Sequence, residues 1–298
     1  MLRYTADLKT MLWLTLTLTL FFWQWSLSAL TWWLYGPYLY FSIAIAVIVH
    51  NHNHVRIWKQ ASLNHLTDIL LTLFYGFPVF GWIPTHNKNH HRHNNTKPDY
   101  TRTWRYWEGN SLFTLLTYPA ISAYHQQKPI QSYVRHLYSG NKTQFYACLS
   151  QIVCLLLWIG VALLLDWRKA LLLVIIPQQV SLSTVLCINY LQHVHADEEH
   201  AWNHSRNFTG PVLNFFMFNN GYHTVHHKQP ALHWSKAPAA HKKIVQQIDP
   251  ALNEPMMIWY LIRVYILGLI VPAFKPRSMR LKRMQMQHAN KGAYVHKK

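Results

Sequence analysis

Long apolar runs separated by short polar segments dominate the chain. Residues 11–34 carry no charge and are long enough to cross a hydrocarbon core, which takes about 20 helical residues. Gly36 and Pro37 then predict a turn, and the apolar residues 38–49 lead back toward the first side. We therefore predict a first hairpin of two transmembrane helices, at about 11–34 and 37–50.

A cleavable signal peptide is the alternative interpretation of the first run, because Ser26-Leu27-Ser28 weakly resembles a cleavage site. Aromatic residues continue past that point, so an uncleaved membrane anchor is the better prediction. Two further runs, at about 145–165 and 170–191, are separated by the charged segment 166–169. They predict a second hairpin.

The run at about 67–83 lies between the hairpins and contains Gly76 and Pro78. It also separates two histidine-rich segments, 50–54 and 86–93. The interval between these segments is shorter than the roughly 40 residues that two crossings need. If both segments belong to one site, the run is re-entrant or interfacial.

A last apolar run, at about 256–274, is interrupted by Arg263 and followed by the basic tail 275–298. A full crossing would place this tail outside, against the preference of positive loops for the cytosol. We expect an interfacial helix and a tail on anionic lipid. Residues 1–298 are thus predicted to form a single all-α integral membrane domain, with four transmembrane helices in two hairpins, interfacial helices and a cytosolic histidine-rich metal-binding cap.

Composition agrees with a membrane protein, because 13% of the residues are charged against about 25% in soluble domains. The net charge of +18 comes from basic residues that flank the apolar runs, so we expect a bilayer and no nucleic acid as partner. Cys148, Cys154 and Cys187 lie within apolar runs without metal-binding spacing. We interpret them as apolar filler.

Histidine is the candidate chemistry, with 21 copies in the chain. Four segments stand out: His50-Asn-His-Asn-His54, His86-Asn-Lys-Asn-His90-His91, Asn189-Tyr-Leu-Gln-His193 and His223-Thr-Val-His226-His227. Residues three or four apart share one face of a helix, and neutral imidazole suits iron, copper, zinc and nickel. The nine histidines at these positions are too many for one ion, so we expect two metals. A loose metal-sequestering tract is the alternative, but three clusters at one membrane face argue for a built site. The chain has no HExxH motif, which excludes a zincin protease.

These motifs, HxxxH, HxxxHH, NxxxH and HxxHH in this order, resemble those of the membrane-bound fatty acid desaturase family. The segment NNGYHTVHHKQPALHW is also similar to the third-box region of bacterial acyl desaturases. The resemblance covers about residues 40–240. It implies a non-haem centre of two iron ions with the following ligands: His50, His54, His86, His90, His91, His193, His223, His226 and His227, with Asn189 contacting iron through a water.

Several neighbours of these motifs stay open. His52 and His93 lie between or beyond the ligand positions and could substitute for a ligand. Asp197, Glu198 and Glu199 follow His193 and are candidates to orient ligating imidazoles; the alternative is that they balance nearby basic residues. The single histidines of the polar loops, His195, His200, His204 and His233, are expected to be solvated. The aromatic residues of 104–107 could line an acyl tunnel or lie at the membrane interface, and the interface is the better prediction.

The resemblance implies an oxidoreductase that uses dioxygen to introduce a double bond into a fatty acyl chain. The acyl carrier, whether lipid, CoA or carrier protein, is left open. The chain shows neither a GxGxxG nor an HPGG segment, nor a cysteine set for a cluster, so a separate ferredoxin or b-type cytochrome is expected to supply electrons. We expect a bacterial inner membrane, with the histidine boxes and both termini in the cytosol.

Two alternatives remain. A hydroxylase or alkane-type monooxygenase uses the same scaffold, and Asn189-Tyr190 with His193 also resembles a motif seen there; the four predicted spans and the HxxxH box favour the desaturase. A non-enzymatic metal-binding or transport protein is the remote alternative. Transport would require polar ligands in mid-membrane, and the apolar runs have almost none.

Overall fold

The computed structural model describes residues 1–295, with side chains described for residues 1–289. Within this part the chain is mostly helical. In chain order the helices are α1 Leu8–Ser26, α2 Trp32–His54, α3 Ala61–Tyr75, α4 Val79–His93, α5 Leu112–Gly140, α6 Lys142–Leu165, α7 Trp167–His193, α8 Pro211–Phe216, α9 His223–Lys228, α10 Ala237–Ile244, α11 Met257–Ile270 and α12 Met279–Val295. Two short strands, β1 Asn207–Phe208 and β2 Asn253–Glu254, pair in parallel, with Asn207 opposite Asn253.

The connection between α1 and α2 differs from the predicted turn at Gly36 and Pro37, because α2 already begins at Trp32 and Pro37 lies inside it. The amide of Gln24 makes the real turn. Its oxygen accepts from the backbone N–H of Thr31 at 3.0 Å, and its nitrogen donates to the carbonyl of Ala29 at 3.0 Å. A buried side chain thus ends α1 earlier than the apolar pattern indicates.

Helix α2 is the centre of the fold, and it packs against α1, α3 and α7. Its contact with α7 is partly polar, since the Tyr38 hydroxyl donates to the carbonyl of Leu173 at 2.7 Å and Ser181 donates to the carbonyl of Ser42 at 2.7 Å. Leu173 lies in the π-helical turn 171–175 of α7. Such a turn disturbs the regular helical hydrogen bonds, and the tyrosine hydroxyl satisfies the carbonyl there.

Three described helices are long and apolar enough to cross a membrane: α2, α6 and α7. Helices α3 and α4 pass the same test only as a pair, and they are bent by 94° at the break between them. Helix α1 is not among these candidates. The expected number of four spans is therefore reached only when the bent pair is counted in the place of α1. Helices α6 and α7 cover the runs predicted at 145–165 and 170–191.

The bend between α3 and α4 depends on Gly76, which ends α3 with a φ of 80°. A Cβ atom at this position would lie 2.4 Å from the side chain of Gln178, so a larger residue fits neither the backbone nor the space. After the bend, the N–H of Phe80 donates to Gln151 of α6 at 3.1 Å. These contacts direct α4 across the end of α2.

A polar cap covers the ends of α2, α4 and α7. It consists mainly of the loop 94–111 and the segment 194–255, and its core joins Tyr190 and Leu191 of α7 to Phe208 and Tyr260. Helix α11, in the predicted interfacial run 256–274, is a shorter apolar helix that does not meet the length of a span. Within the predicted basic tail, the described residues Met279–Val295 form α12, and Arg280 and Arg283 make ion pairs with the cap, as described below.

Candidate metal centre

The nine predicted ligand histidines lie together in two adjacent clusters. In each cluster, one nitrogen from every member lies within 4.8 Å of one from every other member. The first cluster, site 1, contains His50, His54, His86, His91 and His226. The second, site 2, contains His90, His193, His223 and His227. The two sites are neighbours, since the ring centroids of His91 and His227 are 4.7 Å apart.

Site 1 is built on the last turn of α2, where His50 and His54 are one helical turn apart and face the same side. The Nε2 atom of His50 lies 3.0 Å from Nε2 of His86 and 2.9 Å from Nε2 of His226. Nε2 of His91 lies 3.1 Å from Nε2 of His86. Three separate chain segments therefore aim the same ring atom at one point.

The second histidine box contributes to both sites because its backbone is π-helical over Ile83–His90. An α-helix would put His86 and His90, four residues apart, on one face. A π-helix instead brings residues five apart together, and His86 and His91 accordingly share site 1. His90 is left to point into site 2. The spacing alone did not indicate this division.

Site 2 joins the end of α7 to the third histidine box on α9. The Nε2 atom of His193 lies 2.9 Å from Nε2 of His223 and 3.1 Å from Nε2 of His227. The ring of His90 completes the cluster, with its centroid 4.7 Å from that of His193. All members are buried or nearly so.

These donor sets fit metal ions. Two nitrogens that each lie about 2.0–2.1 Å from one ion are about 2.9–3.4 Å apart for bond angles between a right angle and the tetrahedral angle, and the closest contacts in both sites fall in this range. Hydrogen bonds do not account for all the buried ring nitrogens, because Nε2 of His54 and Nε2 of His90 have no partner among the described residues. A buried polar atom without a partner is costly, and a bound ion would satisfy it.

The protonation of the third box favours metal binding. Burial, together with the neighbouring imidazoles, lowers the pKa of His223, His226 and His227 well below the usual value of 6.5. The rings are therefore neutral at physiological pH. A neutral imidazole has a free lone pair for a metal, whereas a protonated one has none.

Asp99 is a site residue that the sequence analysis missed. It is fully buried, and its Oδ2 atom accepts from Nδ1 of His90 at 2.7 Å. Burial opposes ionisation of this carboxyl, but His90 and the N–H groups of Asn95 and Thr101 hold its pKa below the usual range. The carboxylate fixes the ring of His90 with Nε2 toward site 2. Asp99 could have been identified from the scarcity of acidic residues. The chain has 10 Asp and Glu in all, and Asp99 closely follows the second histidine box.

The acidic residues that the sequence suggested for this role have other partners. Arg283 binds Asp197 at 2.7 Å, Glu198 at 2.9 Å and Glu199 at 2.6 Å. Arg280 also binds Glu198, at 3.0 Å. Within residues 1–289, these carboxylates pair with helix α12, and none of them contacts a ring of the nine histidines. These ion pairs connect α12 to the cap.

Asn189 lies one helical turn before His193 on α7, on the same face. Its side-chain nitrogen donates to the Tyr118 hydroxyl at 2.7 Å. The side chain lines a cavity of about 850 Å³ that also reaches His50 and His86 of site 1 and His223 of site 2. This places Asn189 beside both clusters.

The remaining histidines fall into different environments. His52 is fully buried and its Nε2 lies 3.3 Å from Asp68, so it faces away from site 1; neither it nor His93 belongs to a cluster. The expectation that single loop histidines are solvated is wrong for His204 and His233, which are 4% and 2% exposed. His233 binds Asp7 at 3.2 Å, and burial lowers the pKa of His204 to about 4. Both lie in the interior of the folded cap and not on a free loop.

The third box is positioned by a tight approach at Gly221. Its carbonyl accepts from the N–H of Phe208 at 2.9 Å, and its N–H donates to Oδ1 of Asn214 at 3.1 Å. A Cβ atom at Gly221 would lie 2.0 Å from the carbonyl oxygen of Phe208. A glycine is therefore required two residues before His223.

Arg206 supports the end of α7. It is 1% exposed, and its guanidinium donates to the carbonyls of Leu191 at 2.8 Å and Val194 at 3.1 Å. These carbonyls flank His193, and a positive charge at a helix C-terminus is favourable. The guanidinium also lies over the ring of Tyr260, 4.7 Å from its centroid.

Comparison with known proteins gives one family. The family model described as fatty acid desaturase matches residues 23–260, which include both sites and the cavity beside them. No curated protein and no solved structure matches the chain.

Proposed function

The chain belongs to the fatty acid desaturase family, and we propose that it is a dioxygen-dependent desaturase that introduces a double bond into a saturated acyl chain. One observation carries the proposal: histidines of both sites, His50 and His86 from site 1 and His223 from site 2, line the same cavity. A chain bound there lies against both clusters at once.

Iron is the metal that we propose for both sites. Site 1 would hold its ion by five histidines, and site 2 by four, with Asn189 contributing through a water. Neutral nitrogen donors suit iron, although they also suit other transition metals, and the family supplies the preference. When bound, the two ions would activate dioxygen, which is the oxidant that removes hydrogen from an unactivated methylene group.

The protein binds and positions the acyl chain. Much of the cavity wall is apolar or aromatic, including Tyr75, Trp82, Leu182 and Ile188. A saturated chain has no polar group near the reacting carbons, so its depth in this cavity must select the bond. An apolar wall also keeps bulk water away from the reacting carbons.

The overall balance requires an external reductant. Two hydrogens leave the acyl chain, and with two electrons and two protons from a donor they reduce dioxygen to two waters. We propose a ferredoxin or b-type cytochrome as donor. Exposed basic residues of the cap, including Lys228 beside His227 and Lys242 and Lys243 on α10, would steer an acidic donor toward site 2.

We place the protein in a membrane, with the cap and both sites on the cytosolic side, and propose a bacterial inner membrane. Helices α2, α6 and α7 supply the apolar bulk. A membrane site suits the substrate because an acyl chain can move from the lipid bilayer into the cavity without entering water.

Lipid analysis of cells that express the protein tests the proposal. We expect a new unsaturated acyl species, which His226→Ala abolishes, because this ring is central to site 1. His136→Ala changes an exposed histidine of α5 and should keep the product. A hydroxylated acyl product in place of an unsaturated one would favour a hydroxylase over a desaturase.

A further inference from the structure

The segment before α1 contacts the chain just beyond the first histidine box. Leu2 pairs with Trp58 in an antiparallel bridge, and the N–H of Arg3 donates to the carbonyl of Ile57 at 2.8 Å. Ile57 and Trp58 come directly after the end of α2, which His54 closes. The start of the chain therefore lies at the end of α2 that carries site 1.

Asp7 is a buried carboxylate that binds the segment after the third histidine box. It is 2% exposed, and its Oδ1 atom accepts from the hydroxyl of Thr10 at 3.0 Å and from the indole N–H of Trp234 at 3.1 Å. Its Oδ2 atom lies 3.2 Å from Nε2 of His233. Burying a carboxylate is costly unless hydrogen bonds satisfy it. Two of the three partners that do so here lie 226 and 227 residues further along the chain.

An unbroken series of hydrogen bonds leads from Asp7 to a ligand of site 1. The carbonyl of Trp234 accepts from the side-chain amide of Asn219 at 3.1 Å. The carbonyl of Asn219 accepts from the N–H of Tyr222 at 3.2 Å, and the carbonyl of Tyr222 accepts from the N–H of His226 at 3.2 Å. Among the histidines of the third box, His226 is the member of site 1. The position of Trp234 therefore affects this ring through the loop before the box.

This loop has a strained backbone. Phe218 and Asn219 have φ values of 51° and 57°, in the left-handed region that costs a residue with a side chain about 1–2 kcal/mol. Contacts with Trp234 offset this cost. Its ring stands edge-on to that of Phe218, with centroids 5.2 Å apart and planes at 88°. A strained backbone persists only while its surroundings hold it, so release of Trp234 should let the loop relax.

Trp234 and Phe218 also form a wall behind site 1. Together with His54 and His226 they line a recess of about 30 Å³. Among the described residues that line it there is no histidine of site 2. The recess has room for about one water molecule, so the wall lies close to the two rings. Displacement of Trp234 should therefore affect site 1 more than site 2.

We propose that Asp7 is a positioning residue for the metal centre. By fixing Trp234, it holds the loop before the third box in the conformation that presents His226 to site 1. Asp7 thus supports site 1 from the start of the chain, as Asp99 supports site 2. This inference rests on the metal centre of the proposed function and not on the reaction. An acid that only joined α1 to the cap would stabilise the fold without favouring either site.

Titration of the metal-free, full-length protein in detergent with Co²⁺ tests this role without turnover. We expect the unchanged protein to bind two ions per chain. Asp7→Ala leaves the N–H groups of Trp234 and His233 buried without an acceptor. It should weaken the binding of one ion about tenfold, at the lower end of the effect of groups that orient ligands. Asp7→Asn keeps one oxygen for the indole N–H and should restore part of the affinity.

A second change identifies the weakened site. Adding His54→Ala, which removes a ligand of site 1, to Asp7→Ala should leave the tighter ion in place, whereas adding His193→Ala should remove it. Asp166→Ala is the matched control, because this carboxylate caps the first turn of α7, at the opposite end of that helix from His193. Loss of such a cap costs about 1 kcal/mol. It should lower the midpoint of thermal unfolding and leave both Co²⁺ affinities unchanged.

Trp234→Phe decides the question if Asp7→Ala is too unstable to purify. It removes the indole N–H but keeps an aromatic ring, and it should weaken the same ion. Adding Asp7→Asn to it should have little further effect, because residues of one network are not additive. Unchanged Co²⁺ affinities in these variants, or equal losses at both sites, would overturn the inference and leave the desaturase standing. Failure of the unchanged protein to bind Co²⁺ would instead contradict the proposed metal centre, and this inference with it.

Discussion

The carboxylate of Asp99 accepts a hydrogen bond from Nδ1 of His90 at 2.7 Å, and both side chains are buried. Nε2 of His90 has no partner among the described residues, and its ring completes site 2. The pair therefore joins the loop after α4 to the metal centre. It holds His90 in site 2, whereas His86 and His91 of the same box belong to site 1.

Asp99→Asn should weaken site 2 selectively. The amide keeps the size of the side chain but removes the charge that orients His90, and such partners typically change metal affinity by about 10–100-fold. We expect metal analysis to find the content falling from two ions toward one per chain. Asp249→Asn, on an exposed turn of the cap, is the control. Full retention of both ions by Asp99→Asn under dilution would contradict the assigned role.

Gly221→Ala should displace the third histidine box. The added methyl group would lie 2.0 Å from the carbonyl oxygen of Phe208, so the backbone must move. We expect a loss of stability of about 2 kcal/mol or more, measured by thermal unfolding, together with a lower metal content. Gly109→Ala is a matched control, because nothing lies within 4 Å of its new Cβ atom. Two variants of equal stability would show that the close approach does not constrain the box.

Arg283→Glu should release helix α12 from the cap. The change replaces three ion pairs, to Asp197, Glu198 and Glu199, by repulsion. We expect cleavage of the segment 275–289 by a protease to accelerate at least about fivefold, which corresponds to roughly 1 kcal/mol. Lys282→Glu alters the exposed neighbour on the same helix and should have a smaller effect. Unchanged cleavage would mean that these pairs do not hold the tail.

Acidification should destabilise the metal-free protein. The folded-state pKa values of His223, His226 and His227 lie well below the usual 6.5. Below pH 6.5 these imidazoles therefore bind protons in the unfolded chain but remain neutral in the folded protein. Stability is then complete above pH 6.5 and falls as the pH decreases below it, which thermal unfolding between about pH 7.5 and pH 5 would detect. Bound metal should reduce the loss near neutrality, because it competes with protons for the same nitrogens. A midpoint that rises on acidification would contradict the buried neutral state.

The sequence predicted which histidines lie together better than how they divide between the two clusters. Histidines such as His50 and His54 could be identified because helical spacing puts them on one face. The division of the second box could not be predicted, since it depends on a π-helical backbone that brings His86 next to His91 and sends His90 to the other site. The apolar pattern also located α6 and α7, because each contains a long apolar run.

The sequence-based predictions fail where tertiary contacts determine the position of a turn or the partner of a side chain. The turn before α2 is made by Gln24, a side chain that hydrophobicity does not single out. Asp197, Glu198 and Glu199 are adjacent to His193 in sequence, but Arg280 and Arg283 reach them from the far end of the chain. Asp99 reaches His90 only because the loop after α4 folds back. Contacts of this kind have no local pattern.

The central claim is that the protein removes two hydrogens, one from each of two neighbouring carbons of an acyl chain. The most direct measurement is mass spectrometry of the product after the protein has acted on lipid with fully deuterated acyl chains. We predict a product that has lost two deuterium atoms and gained no oxygen, and no such product from His226→Ala. A product that has gained one oxygen and kept the saturated chain would contradict the claim.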